Sequence, residues 1–213
     1  MKNKVILVGG GGYATEICGV IKRAKIFDIL GYTDKIENPK LIDLHYLGDE
    51  LNISSIRKST KLAVLAVGQD SKLDLKLKLI NNYLKNDFTF EKVIGISSIV
   101  DEKAIIGNGV VVRENCFISA GTKIGDYSTI SDGANISYNT NIGKNCNVSL
   151  GVNIGIDVQI GNNVLIGLGS TIMNRVNIGD NCIIGSGSLI NKDCEADYIY
   201  FGHPGKKYKR NNG

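Results

Sequence analysis

The first residues that could do chemistry form a glycine run, Gly9–Gly12, directly after the apolar segment Lys4–Val8. A glycine turn that opens a helix offers backbone N–H groups and the positive end of the helix dipole, which together bind phosphate. Asp34 follows the next apolar segment, where it could meet a ribose or a base. A tight turn without a ligand also fits, because a complete dinucleotide fingerprint needs a longer array of strands and helices.

Histidine, the usual general base at neutral pH, is nearly absent from the chain. His45 and His203 are the two histidines among 213 residues. The five cysteines form no CxxC pair, so the sequence predicts neither a metal site nor a disulfide framework. A net charge of +4 does not indicate a nucleic-acid partner. The N-terminal apolar run is too short for a signal peptide, and no stretch reaches the ~20 apolar residues of a membrane span, so we expect a cytoplasmic protein.

The elements that must position the glycine run lie within residues 1–93. The apolar segments that predict strands are Lys4–Val8, Ile29–Tyr32 and Lys61–Val67. Helical patterns follow Gly12 and cover Ser71–Leu84, where Ile80 and Leu84 share the apolar stripe. Strands that alternate with helices predict a small parallel sheet, here with a Rossmann-like turn at the glycines.

The remainder of the chain is dominated by a six-residue repeat. Every sixth residue from Ile94 to Ile190 is Ile or Val, at 17 consecutive positions, and the residue four places after each is small. This spacing does not match a helix, and β-branched residues favour extended structure. The Gly and Asn residues between them tolerate the left-handed backbone of turns. The pattern predicts a β-solenoid, and cysteines at the small position are interpreted as packing residues.

This repeat resembles that of the hexapeptide-repeat acyltransferases, whose coil is a left-handed parallel β-helix with three hexapeptides in each turn. The segment Tyr200–Lys207 resembles the Gly-x-Pro-Ala-Lys closing sequence of that family, with Gly205 in place of the usual Ala. With its short Rossmann-like front domain, the whole chain resembles the nucleotide-sugar acyltransferases. These include the bacillosamine and perosamine N-acetyltransferases and the sialic acid O-acetyltransferases.

The resemblance implies three regions and their ligands. Residues 1–93 would bind the nucleotide sugar, residues 94–190 would form the acyltransferase β-helix, and residues 191–213 would cover the CoA site. The implied substrate-binding residues are Gly9, Gly11, Gly12, Tyr13, Asp34, Lys35 and Gly68. Acetyl-CoA, without a metal, would lie between neighbouring subunits of a homotrimer. Its implied contacts are Asn147, Ile156, Asn174, Lys192, His203, Pro204 and Lys206, with the amide of Ile156 meeting the thioester carbonyl.

The catalytic position departs from the family pattern. The family's base is a His in Ala-x-Ile-x-His-Asp-x-x-Ile-Gly, and here Tyr138 stands at the His and Asn139 at its acidic partner. Tyrosine has a reference pKa of ~10 and is a poor base near neutral pH. Three possibilities stay open: the amine enters neutral and loses its proton to water, Asp157 replaces the base from one coil beyond Asn139, or activity has been lost.

Amines need less activation than hydroxyls, so the first possibility is favoured. The sequence therefore predicts an acetyl-CoA-dependent N-acetyltransferase that acts on a nucleotide-linked amino sugar in surface glycan biosynthesis. The alternatives are a sialic-acid-type O-acetyltransferase and a catalytically silent trimer that binds nucleotide sugar or CoA.

Overall fold

The computed structural model describes residues 2–41, 43–68 and 73–211. The chain folds into two compact units, residues 1–93 and 94–213. Within the described ranges, no helix combines the length and the apolar character needed to cross a membrane.

The first unit is built on a four-stranded parallel sheet in the order β2-β1-β3-β4. Its strands are β1 (Asn3–Val8), β2 (Phe27–Thr33), β3 (Leu62–Leu65) and β4 (Thr89–Phe90). Its helices are α1 (Gly12–Ala24), a short 3₁₀ helix (Glu50–Asn52), α2 (Ile53–Ile56) and α3 (Leu73–Lys85). The apolar end of β1 is fully buried, as expected for an inner strand of a parallel sheet. The predicted α/β architecture is confirmed.

The buried stripe of α3 differs from the predicted one. Tyr83 is 1% exposed, whereas Leu84 is 41% exposed. The Tyr83 hydroxyl lies 2.7 Å from Thr33 Oγ1, and its ring packs edge-on against Phe88 and Phe90. A tyrosine with a hydrogen-bond partner for its hydroxyl can be buried, and here it takes the place predicted for the leucine. The predicted start of this helix at Ser71 lies outside the described residues.

The second unit is a parallel β-solenoid, as predicted, with three sheets of two-residue strands. The hexapeptide strands are β5 (Val93–Ile94), β6 (Ile99–Val100), β7 (Ile105–Ile106), β8 (Val111–Val112), β9 (Phe117–Ile118), β10 (Lys123–Ile124), β11 (Thr129–Ile130), β12 (Asn135–Ile136), β13 (Asn141–Ile142), β14 (Asn147–Val148), β15 (Asn153–Ile154), β16 (Gln159–Ile160), β17 (Leu165–Ile166), β18 (Thr171–Ile172), β19 (Asn177–Ile178), β20 (Ile183–Ile184) and β21 (Leu189–Ile190). Every third strand pairs in register, so that residues one coil apart stack, as Ile136 does on Ile154.

The small interior position has a second function besides packing. Its hydroxyl and thiol groups donate hydrogen bonds to turn carbonyls of the next coil: Ser128 Oγ to Gly143 O at 2.9 Å, and Cys146 Sγ to Gly161 O at 3.0 Å. A buried carbonyl without such a donor would cost free energy. Cys194 also lies inside the solenoid, and burial raises the pKa of its thiol to about 12. These cysteines therefore pack rather than react.

The turns between strands explain the abundance of Gly and Asn. The residue three places after each Ile or Val has a left-handed backbone from Gly109 to Gly187, with φ between 55° and 72°. Glycine adopts this conformation freely and asparagine at little cost. Tyr127 and Arg175, which lack that tolerance, occupy the same position with φ of 62° and 64°.

The hydrogen-bonded ladder extends past Ile190, where the six-residue pattern ends. Cys194 bridges to Ile178 and Tyr200 pairs with Ile184, so the last coil is shorter than the hexapeptide coils before it. Tyr200 lies in β22 (Tyr198–Gly202), which forms an antiparallel hairpin with β23 (Gly205–Arg210). A Cβ at residue 205 would lie 2.4 Å from Ile190 Cδ1, so Gly205 allows the hairpin to approach the last hexapeptide strand.

Asparagine side chains form a continuous hydrogen-bonded ladder along one edge of the solenoid, which we call the Asn163 edge (turn residues 126–127, 144–145, 162–163 and 180–181). Asn145 Nδ2 donates to Asn163 Oδ1, and Asn163 Nδ2 to Asn181 Oδ1, each at 3.0 Å. Asn181 Nδ2 then donates to Asp197 Oδ1 at 2.8 Å. Because Asn145 is 5% exposed, its amide depends on this ladder for a partner.

We expect Asn163→Gly to lower the free energy of unfolding by about 1–3 kcal/mol, because it keeps the left-handed turn and removes both rungs. The matched control is Asn115→Gly, since Asn115 has a φ of 56° and its side chain has no hydrogen bond within the described residues. The control should change stability by less than about 0.5 kcal/mol. Urea unfolding of both variants checks this, and equal midpoints would contradict a stabilising ladder.

Candidate functional site

The glycine turn after β1 is fixed by close backbone packing. Gly9 has a φ of +111°, and a Cβ there would lie 2.7 Å from the carbonyl oxygen of Ala66. A Cβ on Gly10 would lie 2.5 Å from the ring of Tyr32. Gly11 is the N-cap of α1, and a Cβ there would meet nothing within 4 Å. The backbone N–H groups at the start of the helix therefore stay accessible. The first two glycines thus shape the turn, and the third leaves it open.

Asp34 holds this turn in place. Its Oδ2 accepts the Gly10 N–H at 2.7 Å, and its Oδ1 accepts the Lys35 N–H at 2.7 Å. Asn38 Nδ2 donates to the Gly10 carbonyl at 2.6 Å from the other side. The carboxylate predicted to meet a ribose or base therefore also positions the glycines, which the spacing in the sequence did not show.

A cavity of about 220 Å³ opens beside the turn. Five of the predicted substrate residues line it, namely Gly9, Gly11, Asp34, Lys35 and Gly68. Gly12 and Tyr13 do not line it: Gly12 begins α1, and the Tyr13 side chain lies next to Gly68. The apolar wall of the cavity comes from Leu75, Leu79 and Tyr83 of α3. An apolar cavity edged by glycine amides at a helix N-terminus can hold a ring system linked to a phosphate.

The predicted catalytic residues lie on a different edge of the solenoid, which we call the Tyr138 edge (turn residues 120–121, 138–139, 156–157, 174–175 and 192–193). These pairs follow successive strands of the six-stranded sheet. The Tyr138 side chain is 56% exposed. Asn139 Nδ2 donates to Asp157 Oδ1 at 2.7 Å, and the Asp157 N–H donates to the Tyr138 carbonyl at 3.1 Å. A phenol, an amide and a carboxylate therefore stand together at the surface.

The CoA contacts predicted on the solenoid separate into two groups. Ile156, Asn174 and Lys192 follow one another along the Tyr138 edge, all exposed. Asn147 begins β14 on the eight-stranded sheet and does not join them within this chain. The Ile156 N–H, predicted to receive the acyl carbonyl, donates to Asn174 Oδ1 at 2.9 Å.

Sequence reasoning missed Arg175. It lies on the Tyr138 edge one coil beyond Asp157, and Lys192 follows on the next coil. Neither cation forms an ion pair with any residue that the structure describes. The signal was available, because Arg175 follows Asp157 at the same one-coil spacing that links Asn139 to Asp157. Two exposed cations at this end of the edge could bind phosphate groups.

The tail hairpin places His203, Pro204 and Lys206 at its exposed tip. Its base is held by Tyr198, whose ring lies 3.7 Å from Lys207 Nζ and whose hydroxyl accepts Arg210 Nε at 3.4 Å. The hydrogen bond from Arg210 lowers the pKa of Tyr198. The described residues contain no group of three or more His, Cys, Asp or Glu side chains that could hold a metal ion.

Two family models match the chain. Residues 4–74 match the PglD N-terminal domain, and residues 157–192 match the bacterial transferase hexapeptide model of six repeats. The fold therefore defines a class, the proteins in which a small α/β domain precedes a parallel β-solenoid in the sequence. Within that class the chain is similar to the bacterial transferase hexapeptide proteins over residues 157–192 and to the PglD N-terminal domain over residues 4–74.

Solved structures share the fold over nearly the whole chain. The acetyltransferase domain of PglB from Neisseria gonorrhoeae is 20% identical with a TM-score of 0.89, covering 97% of this chain and 100% of its own. The same domain in complex with acetyl coenzyme A has a TM-score of 0.64 at 20% identity, covering 98% and 100%. A mutant of GDP-perosamine N-acetyltransferase from Caulobacter crescentus, in complex with CoA and GDP-perosamine, is 21% identical with a TM-score of 0.74, covering 97% of each chain. No curated protein matches the chain.

Gly10→Ala should destabilise the first unit by about 1–3 kcal/mol, because the added methyl group overlaps the ring of Tyr32, which is buried. Gly12→Ala is the matched control, since a Cβ there meets nothing within 4 Å and alanine favours the first turn of a helix. Thermal unfolding followed by the helical circular-dichroism signal checks this, because all described helices lie in the first unit. Equal melting temperatures for the two variants would contradict the prediction, because they would mean that the turn accommodates a side chain at residue 10.

Proposed function

We propose that the protein is an acetyl-CoA-dependent N-acetyltransferase that acts on a nucleotide-linked amino sugar in surface glycan biosynthesis. The observation that carries the proposal is the Tyr138 edge, a row of mostly exposed turn residues. It combines a phenol, the half-buried Asp157 and exposed Asp193 carboxylates, and two cations, but no histidine. The cavity beside the glycine turn supplies the second requirement, a place for the nucleotide.

The residues of the Tyr138 edge fit a long acyl donor with phosphate groups. Arg175 and Lys192 offer positive charge at one end, and the exposed side chain of Ile156 offers apolar surface between them and Tyr138. His203, Pro204 and Lys206 at the tail, and Asn147 on the eight-stranded sheet, are proposed as further contacts. We also propose that the nucleotide binds in the cavity beside the glycine turn, in contact with Gly9, Gly11, Asp34, Lys35 and Gly68.

An amine acceptor needs little activation for this reaction. The nitrogen forms a bond to the acyl carbon, the carbon–sulfur bond breaks, and the proton lost by nitrogen passes to water while the leaving thiolate is protonated. Holding the two reactants together supplies a large part of the rate enhancement. Tyr138 and the Asn139–Asp157 pair would orient the amine, since all three offer hydrogen-bonding groups at the surface.

Two alternatives remain with the same fold. O-acetylation of a sialic-acid-type sugar needs a base strong enough for a hydroxyl, and the hexapeptide coils, residues 94–190, have no histidine for it. A catalytically silent protein that binds nucleotide sugar or CoA is favoured by one observation: the Ile156 N–H is already hydrogen-bonded. In all three cases we propose a cytoplasmic protein. We also propose that it is a homotrimer with the donor between subunits, because the solenoid leaves large apolar side chains such as Phe117, Leu150 and Leu168 exposed.

The proposal is tested by incubating the protein with acetyl-CoA and a panel of UDP-, dTDP- and GDP-linked amino sugars, and following release of free thiol. We expect turnover with an amino sugar and none with the matched sugars that carry a hydroxyl in place of the amine. Turnover with hydroxyl acceptors alone would select O-acetyl transfer. Binding of CoA without turnover of any acceptor would select the silent protein.

Tyr138→Phe should reduce kcat by less than the ~10²–10⁴-fold loss that follows removal of a general base, because the phenol orients the amine and does not take its proton. Asp157→Asn keeps the size of the side chain and should likewise have a modest effect. The measurement is kcat and KM for both variants with the amino sugar identified by the panel. A collapse of kcat at unchanged KM in either variant would identify that residue as the base.

A further inference from the structure

Backbone N–H groups form a row along the Tyr138 edge. One of them is closed, meaning that it already donates a hydrogen bond within this chain. The N–H groups of Ala120, Tyr138 and Asn174 have no acceptor among the described residues. The Ile156 N–H, in the middle of the row, donates to Asn174 Oδ1 at 2.9 Å. Gly155 makes this contact possible, because a Cβ there would lie 2.3 Å from Asn174 Oδ1.

The same contact occurs on the Asn163 edge, where it belongs to a series. Asn162 Oδ1 accepts the Lys144 N–H at 2.9 Å, and Asp180 Oδ1 accepts the Asn162 N–H at 2.6 Å. The contact on the Tyr138 edge is not part of such a series, since Ile156 and Lys192 have no side-chain oxygen to accept the N–H one coil before them. Asn174 therefore closes one amide in a row that is otherwise open.

We infer that Asn174 is a gate for the acyl carbonyl: its side-chain oxygen occupies the Ile156 N–H and must leave before a thioester oxygen can bind there. This inference rests on the proposed function, in which the Ile156 amide receives that oxygen. One N–H directed at this point cannot donate fully to both acceptors, so binding of the acyl group and the closed position of Asn174 exclude each other. The Asn174 side chain is exposed and can turn into solvent.

Because of the gate, the acetyl group should bind more weakly than it would if the Ile156 N–H were open. Acetyl-CoA must exchange one hydrogen bond for another at Ile156, whereas free CoA has no acyl oxygen and makes no such exchange. The ratio of the Kd values for CoA and acetyl-CoA isolates this term, because every contact with the rest of the molecule cancels. A carboxylate at residue 174 would hold the N–H more firmly than an amide, so acetyl-CoA would have to replace a stronger hydrogen bond.

The test measures the Kd of CoA and of acetyl-CoA by titration calorimetry for the full chain and four variants. Asn174→Ala should raise the Kd ratio of CoA to acetyl-CoA by about two- to tenfold, the value of one net hydrogen bond. Asn174→Asp should lower it. Asn162→Ala and Asn162→Asp are the matched controls, since they alter the same contact on another edge and should leave the ratio unchanged.

A second readout is independent of any ligand. Amide hydrogen exchange at Ile156 should accelerate in Asn174→Ala, and exchange at Lys144 should accelerate in Asn162→Ala. If exchange responds as expected but the Kd ratio does not move in Asn174→Ala, the gate is refuted while the proposed function stands. If the unaltered protein binds neither CoA nor acetyl-CoA, the gate and the proposed function are both refuted.

Discussion

The structure of the second unit depends on backbone hydrogen bonds between residues one coil apart. Lys123 N–H donates to Thr140 O at 2.9 Å, and Asn141 N–H to Val158 O at 2.9 Å, and this pattern continues along all three sheets. A strand of two residues is not stable by itself, so each coil depends on the hydrogen-bond partners that its neighbouring coils provide. The hexapeptide coils share one length, so the left-handed turn residues and the Ile and Val interior recur at the same place in each coil.

Because the hexapeptide coils are equal in length, residues one coil apart form columns, and the outer columns are free to vary. The Asn163 edge uses its columns for structure, with asparagine bonded to asparagine from coil to coil. The Tyr138 edge uses the same positions for exposed side chains of several kinds and leaves most of its amides open. An open edge lowers the number of stabilising contacts, and it is the place where a ligand can find hydrogen-bonding groups without displacing the fold.

The fold was predictable because its cause is local and repeated: each hexapeptide contains its own anchor, small residue and turn. Prediction failed where the cause is not periodic. The last coil closes with Cys194 and Tyr200 at a shorter spacing, which no pattern of sixes includes. Leu84 was assigned to the core in place of Tyr83, because the partner that allows a tyrosine to be buried, Thr33, lies 50 residues away in the sequence.

For the candidate site, spacing predicted which residues are neighbours but not which atoms bond. Counting by whole coils placed Asp157 beside Asn139, and the structure adds a hydrogen bond between them at 2.7 Å. Asn174 lies one coil beyond Ile156 by the same counting, but the spacing does not show that its side chain takes the backbone N–H. In the proposed function, the two departures on this edge, tyrosine in place of the expected histidine and a closed amide, both remove assistance at the reacting atoms. Rate enhancement at such a site would then have to come from holding an already reactive amine against the donor, which is why the acceptor's own nucleophilicity becomes the decisive property.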